Sequence, residues 1–269
     1  HCQVSFALDA HTGVARLGHA GVFCRHGFVQ LCSGVPEGTG GSRQAVALKA
    51  FSMDYVISLL GPLSQGALVT LKLFAITLVL SIPLGLVLAL VRLSRFAGLR
   101  ALVGGYIWLM RGTPLMLQML FIYFALPFVP VIGIRFDDYP AAIVAFTLNY
   151  AAYFAEIFRA GIQSIDRGQY EGAKVLGLSY AQTMRRIVIP QVWPRILPPL
   201  SNETITLVKD TSLIYVLALN DLLRAARGIV QRDFTTTPFI VAAAFYLIMT
   251  LVLTWGFQRL EKRYAKHDE

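Results

Sequence analysis

The sequence predicts an all-α integral membrane protein with five transmembrane helices and a polar, helical loop on the cytoplasmic side. Three observations predict it. The chain of 269 residues is 56% hydrophobic and only 14% charged, with a mean hydropathy of +0.60; a soluble domain carries roughly 25% charge. Its apolar residues gather in runs of about 20, the length that crosses a hydrocarbon core as helix, and lipid leaves the backbone no other partner. Its basic residues, net charge +9, cluster in short segments between those runs.

Residues 1–52 stand apart. They are rich in Gly, Ser and His, hold all three cysteines (Cys2, Cys24 and Cys32), and show no sustained period of 2 or 3.6. No basic segment followed by an apolar one marks a secretory signal, and the Cys and His spacings match no zinc pattern. They are expected to be a disordered or non-native extension, with no metal site, ahead of a membrane domain over 53–269.

The first span reads from Leu63 to Val91, after Gly61-Pro62, with Pro83 and Gly85 inside it. The second covers Ala101 to Val129 and is interrupted by Gly112-Thr113-Pro114. The third runs from Pro140 to Ala160, the fourth from Ile196 to Leu219, and the fifth from Pro238 to Phe257. Lys/Arg counts orient them. Arg92, Arg95, Arg100, Arg159, Arg167, Lys174, Arg185, Arg186, Arg195, Arg259, Lys262, Arg263 and Lys266 fall in one set of segments; Arg135, Arg224, Arg227 and Arg232 fall in the other. Thirteen against four puts the first set, and the C-terminus, in the cytoplasm. The N-terminus of the core is then outside. This distribution is that of a membrane protein near anionic lipid, and no nucleic-acid-binding motif accompanies the charge.

Between the third and fourth spans lies YEGAKVLGLSYAQTMRRIVIP, Tyr170 to Pro190. Asp166-Arg167-Gly168-Gln169 is turn chemistry ahead of a short helix over Tyr170 to Leu176. Gly177 stops that helix by supplying a left-handed residue. Ser179 caps a second short helix, Tyr180 to Ile187, and Pro190 precedes the return to the membrane. Two short helices at an angle make a rigid knob. The plain alternative is an ordinary amphipathic loop.

The spacing Glu171-Gly172-Ala173, three residues, Gly177, nine residues, Ile187-Val188-Ile189-Pro190 resembles the EAA loop of ABC-importer permeases, E-A-A-x3-G-x9-I-x-L-P. Gly172 stands where that pattern has Ala, and Ile189 where it has Leu. Arg111-Gly112-Thr113-Pro114-Leu115 with Gln118 is similar to an element of the polar amino acid permeases of the histidine, glutamate, glutamine and arginine uptake group. So are Glu156 to Ile165 with Gly168-Gln169-Tyr170-Glu171, and Lys209-Asp210-Thr211-Ser212-Leu213. The resemblance covers Met53 to Lys262. It implies a MetI-like type I ABC permease fold and a permease subunit that carries polar amino acids. It implies that Glu171, Gly172, Ala173, Leu176 and Gly177 couple the chain to an ATPase. The implied partners are two ATP-binding cassette subunits, a second permease subunit (identical or homologous), an extracytoplasmic amino-acid-binding protein and the bilayer of a bacterial cytoplasmic membrane, with no nucleic acid. ATP and Mg would be bound by the partner ATPase.

Independently of family, the spans hold polar groups that are unfavourable in lipid, about 2.5–3.5 kcal/mol for a charge at mid-bilayer. Asn149, Tyr153 and Glu156 fall on one face of the third span. Asn202, Glu203, Thr206, Lys209, Asp210 and Ser212 fall in the fourth, and Arg111 lies at the break in the second. Arg111, Asn149, Tyr153, Glu156, Asn202, Thr206, Lys209, Asp210 and Ser212 are the candidates for a substrate path, since both signs of charge with hydroxyls and amides suit a zwitterion. Each has a plain alternative: Glu156 pairs locally with Arg159, Lys209 and Asp210 form interhelical or dimer contacts, Arg111 anchors a broken helix, and the amides and hydroxyls bond across helices.

The chain has no Gly-Lys pair and so no Walker A loop. It has no G-x-S-x-G or H-E-x-x-H either. It is therefore expected not to be an enzyme, and ATP hydrolysis is expected in a separate subunit. The alternative is a secondary active amino-acid transporter, which typically shows two similar halves; five spans do not divide so.

Overall fold

The computed structural model describes residues 52–130 and 133–265. The extension expected over 1–52 lies outside the described residues, Ser52 excepted. Ser52 caps the first helix, α1 (Met53–Arg92), its hydroxyl accepting from the Tyr55 N–H at 3.2 Å. This helix starts well before the expected Leu63, and Pro62 and Pro83 lie inside it. Packing overrides the Gly61-Pro62 turn signal: Leu59, Leu63 and Ala67 share a buried cluster with Leu222, Ala226 and Ile229. Proline is tolerated in helices that neighbours hold in shape.

The second span is a pair of helices, α2 (Ala97–Gly112) and α3 (Leu115–Leu120), bent by 108°. A π turn over Phe121–Ala125 and a 3-10 turn over Leu126–Phe128 continue α3. The bend falls at the Gly112-Thr113-Pro114 interruption that the sequence shows. Pro114 forbids helical backbone just before itself, and Thr113 is extended at φ −120°, ψ 148°.

Helix α4 (Asp138–Gln163) is the centre of the fold. Its alanines (Ala141, Ala142, Ala145, Ala151, Ala152 and Ala155) are buried and let neighbours approach closely. The most extensive packing is α4 against α1. A Cβ at Gly85 of α1 would come within 2.8 Å of Phe154 Cβ and 3.0 Å of the Ala151 carbonyl, so only glycine fits this crossing.

After α4 come α5 (Arg167–Val175) and α6 (Tyr180–Thr183). The chain then runs through a π turn (Met184–Val188) straight into α7 (Ile189–Asp210), and on through a 3-10 turn (Thr211–Leu217). Next are α8 (Leu222–Asp233), which the sequence reading did not anticipate, and α9 (Thr237–Ala265). The five expected spans thus fall on α1, α2–α3, α4, α7 and α9. By length and apolar composition α1, α4 and α9 can cross a membrane, and the bent α2–α3 pair is a fourth candidate. Helix α7 is amphipathic instead. Val192, Ile196, Leu200 and Leu207 are buried on one side, while Asn202, Thr206 and Lys209, spaced i, i+4, i+7, share another face. Asn202 and Lys209 are exposed, Thr206 half-buried.

Candidate functional site

Two features meet at the end of α4. The first is the polar loop. Asp166 caps α5 by accepting from the Gly168 N–H at 2.7 Å, so this helix starts three residues before the expected Tyr170. Gly177 then takes φ +73°, as its place after a helix end requires. Ser179 and Gln182 form a reciprocal capping box: the Ser179 N–H donates to Gln182 Oε1 at 2.8 Å, and the Gln182 N–H to Ser179 Oγ at 3.3 Å. The second short helix does not stop at Ile187. It runs on without a break through the π turn into α7, Pro190 standing in the first turn of that α-helix, and Pro194, Pro198 and Pro199 are carried inside it.

The loop is fastened to both neighbouring helices. Arg195 Nη1 donates to the Ser164 carbonyl at 2.6 Å and to its Oγ at 3.1 Å, and Gln191 Nε2 to Gln169 Oε1 at 3.2 Å. Ala173 is turned into the chain's own interior at 1% exposure. It cannot fill a groove on another protein and instead holds α5 down, which corrects its assignment as a docking residue. Val175 and Leu176 are 87% and 76% exposed, and Tyr180 is comparably bare. Val175 and Tyr180 were missed in the sequence because they lie beside the motif positions and not on them. Glu171 is exposed, and so is Gly172, where an added Cβ would meet nothing within 4 Å.

The second feature is a cavity of about 420 Å³ between α4, α7 and the break in α2–α3. Arg111, Tyr153, Glu156, Ser164, Arg195 and Glu203 supply its polar lining, with Ile157, Ile196 and Pro199 among the apolar residues. The Arg111 guanidinium lies over the Tyr153 ring, 5.3 Å from its centre. Glu156 pairs with Arg159, whose Nε donates to Oε2 at 3.0 Å. The cavity therefore offers cations and carboxylates within one concave wall.

Comparison with known proteins gives this arrangement a family. Residues 81–266 match the family described as "Binding-protein-dependent transport system inner membrane component". The chain belongs to that family. It is similar to the arginine transport system permease protein ArtQ of Bacillus subtilis (strain 168), 36% identical over 206 residues, which cover 76% of this chain and 93% of ArtQ. It is similar to the L-cystine transport system permease protein TcyB of the same organism, 34% identical, covering 76% of this chain and 87% of TcyB. A crystal structure of an amino acid ABC transporter with histidines superposes with a TM-score of 0.72 at 34% identity, covering 79% of this chain and 98% of that one. The resemblance read from the loop and the R-G-T-P-L element is borne out: this is a multi-pass ABC permease.

Within the permease the expected path residues divide. Arg111, Tyr153 and Glu156 come together at the cavity, and Glu203 and Arg195 join them. Asn149 does not. It is buried, and its Nδ2 donates to the Met110 carbonyl at 3.0 Å and to Gln118 Oε1 at 2.9 Å. Gln118 Nε2 in turn donates to Thr113 Oγ1 at 2.7 Å and to the Met110 carbonyl at 2.9 Å. Asn149 and Gln118 thus satisfy carbonyls that the helix break leaves open. Asp210 is also engaged, accepting from Tyr150 OH at 2.8 Å and tying α7 to α4. Asn202, Thr206, Lys209 and Ser212 do not line the cavity.

Proposed function

We propose that this permease carries polar amino acids into the cell as half of the membrane part of an ATP-driven ABC importer. The observation that carries this is the continuity of the loop with α7. An ATPase subunit that grips Tyr180 grips the start of a continuous helical run whose later residues Arg195, Ile196, Pro199 and Glu203 line the cavity, and Glu171, Val175 and Leu176 offer it a second hold on α5 beside that start. Motion at the loop is then motion of the cavity wall. Leu176 and Gly177 retain the coupling roles that the resemblance implies, with Gly177 fixing the angle between α5 and α6. Gly172 leaves room in α5 for the family's alanine.

The substrate reading rests on the cavity. Arg111 offers a cation to a carboxylate, and Glu156 and Glu203 offer anions to an ammonium. The relatives' names, arginine and L-cystine transport, and the histidines of the structural neighbour support the same class. Asn202, Thr206 and Lys209 make no side-chain hydrogen bond among the described residues, Lys209 acting only through its charge on the neighbouring Asp210, and this polar face is assigned to the central path shared with a second permease subunit, identical or homologous. Two ATP-binding cassette subunits bind ATP and Mg and hydrolyse the nucleotide; this chain does not. An extracytoplasmic binding protein delivers the amino acid. The chain sits in the bacterial cytoplasmic membrane with the loop and C-terminus inside. Ligand shifts the balance of states only through its different affinity for each.

The test is reconstitution in vesicles with the co-purifying ATPase, supplying an amino-acid panel and candidate binding proteins. Uptake of a polar amino acid that requires internal ATP and is lost in Arg111→Ala is expected. Uptake driven by an ion gradient without ATP would overturn the reading.

A further inference from the structure

Helix α8 carries a second concave surface, away from the cavity described above. It encloses about 580 Å³ and is lined by Tyr215, Asn220, Arg224, Arg227, Gln231 and Arg232 among others, with no carboxylate in the lining. Arg224 and Arg227 lie three apart on one helical face. Arg224 Nη1 has only a long bond, 3.4 Å to the Tyr215 carbonyl, and Arg227 lies 5.8 Å from the centre of the Tyr215 ring. Arg232 is neutralised by Asp233, whose Oδ1 accepts from Nε at 2.6 Å. The two carboxylates of this segment stand outside the lining of the hollow and are engaged as hydrogen-bond acceptors. Asp221 caps α8, accepting from Leu223 and Arg224 N–H at 3.1 Å each, and Asp233 also accepts from Tyr55 OH at 2.7 Å. Neither Arg224 nor Arg227 forms a salt bridge among the described residues, although the Asp221 carboxyl at the start of α8 is near enough to act on Arg224 through its charge.

Two residues past Arg232 stands Phe234. It is 89% exposed and ends α8 in the left-handed region at φ +52°. That position after a helix normally takes glycine, and a bulky residue there is an outlier. An aromatic ring held bare beside an arginine-lined hollow has no use to a free small anion. It is the anchor that a protein surface would use.

We propose that Arg224, Arg227 and Phe234 form a docking surface for the acidic face of the extracytoplasmic binding protein, with surface carboxylates entering the α8 hollow and Phe234 seating in an apolar dimple beside them. This rests on the orientation given under the proposed function, which puts α8 outside. Charge complementarity would act chiefly on the rate of encounter and so weaken with salt.

The experiment uses the permease–ATPase assembly in lipid nanodiscs and the binding protein that stimulates its ATP hydrolysis. Half-saturating binding protein is measured at low and high salt for wild type, for Arg224→Glu with Arg227→Glu, and for Phe234→Gly. The double reversal should raise half-saturation at least tenfold at low salt and flatten the salt dependence. Phe234→Gly should raise it several-fold while leaving thermal stability equal or higher, since glycine suits the backbone there. If no binding protein stimulates the wild type, the proposed function itself fails. If stimulation is normal and both variants saturate as wild type does, the docking surface is elsewhere. If free glutamate, and not the binding protein, competes at the hollow, it is a small-anion site. If the double reversal dissociates the permease pair on size measurement, the hollow belongs to that interface. Each of these last three results overturns the inference.

Discussion

Two glycines in the loop are opposites, and the EAA pattern, with alanine at the place of Gly172 and glycine at that of Gly177, already separates them. Gly177 has a left-handed backbone, and a side chain there would be strained by about 1–2 kcal/mol. Gly172 is inside α5 with open space around it. Gly172→Ala is therefore expected to stabilise the loop by roughly 0.5–1 kcal/mol and to leave transport at or above the wild-type rate. Gly177→Val should abolish the stimulation of ATP hydrolysis by loaded binding protein while the protein remains inserted. Stimulated hydrolysis in vesicles separates the two; equal behaviour of both variants would show the loop to be a mere connector. The sequence told these glycines apart only in part, since the left-handed stop was legible from Gly177's place after a helix but the spare room at Gly172 depends on neighbours. Asn149 shows the limit more sharply. Helical spacing put it on one face with Tyr153 and Glu156, and it is, but one turn back along α4 that face meets the Met110 carbonyl at the break and not the cavity, a difference in height that periodicity does not reveal.

At the scale of elements, the decisive finding is that α6, the π turn and α7 are one continuous helical run. A Gly-Gly insertion after Val188 is expected to leave basal ATP hydrolysis intact and to reduce transport severely, as uptake and hydrolysis measured together would show. Full transport by that variant would mean that motion reaches the cavity by another route. Helix α8 allows a pH prediction. Burial pushes the Asp221 carboxyl up to about 6 from its usual 3.8. The folded state thus holds this proton more tightly than the unfolded one, so the contribution to stability is full below about pH 4 and is lost as pH rises through about 6, each pKa unit being about 1.4 kcal/mol. Hydrogen exchange of α8, corrected for intrinsic rates, should show weaker protection at pH 7 than at pH 4, and Asp221→Asn should flatten the difference. Helix α8 had a readable signal, with Asp221 at its start and Leu222, Ala226 and Ile229 in helical register. It was obscured because its arginines read as loop charge. The 108° bend was legible as a break at Thr113-Pro114, but its angle was not, since that is set by Gln118 and Asn149 reaching carbonyls from two helices.

For the molecule as a whole, exposure divides into two chemistries. Helix α9 leaves Leu247, Ile248, Leu251 and Val252 bare, and α1 leaves Leu68, Val79, Leu86 and Val87 bare, as lipid-facing surface should be. The face with Asn202, Thr206 and Lys209 is polar, with Asn202 and Lys209 bare and Thr206 half-buried. Cysteines at 202 and 206 should react with small water-soluble thiol reagents in the assembled transporter, and those at 247 and 251 only with lipid-soluble ones. The reverse pattern would turn the protomer inside out and remove the central path from α7.

The hydrogen bond from Tyr55 to Asp233 also has a consequence in time. It joins residues 178 apart in sequence, and the apolar seam beneath it, Leu59, Leu63 and Ala67 against Leu222, Ala226 and Ile229, spans a similar interval. At synthesis rates of about 5–20 residues per second, the first half of α1 waits roughly 10–40 s for its partner to emerge. During that interval the growing chain carries an unmatched helix face, so truncation anywhere between α7 and α8 should expose it to proteases and quality control. Survival of the nascent permease is decided at its first helix by one of its last.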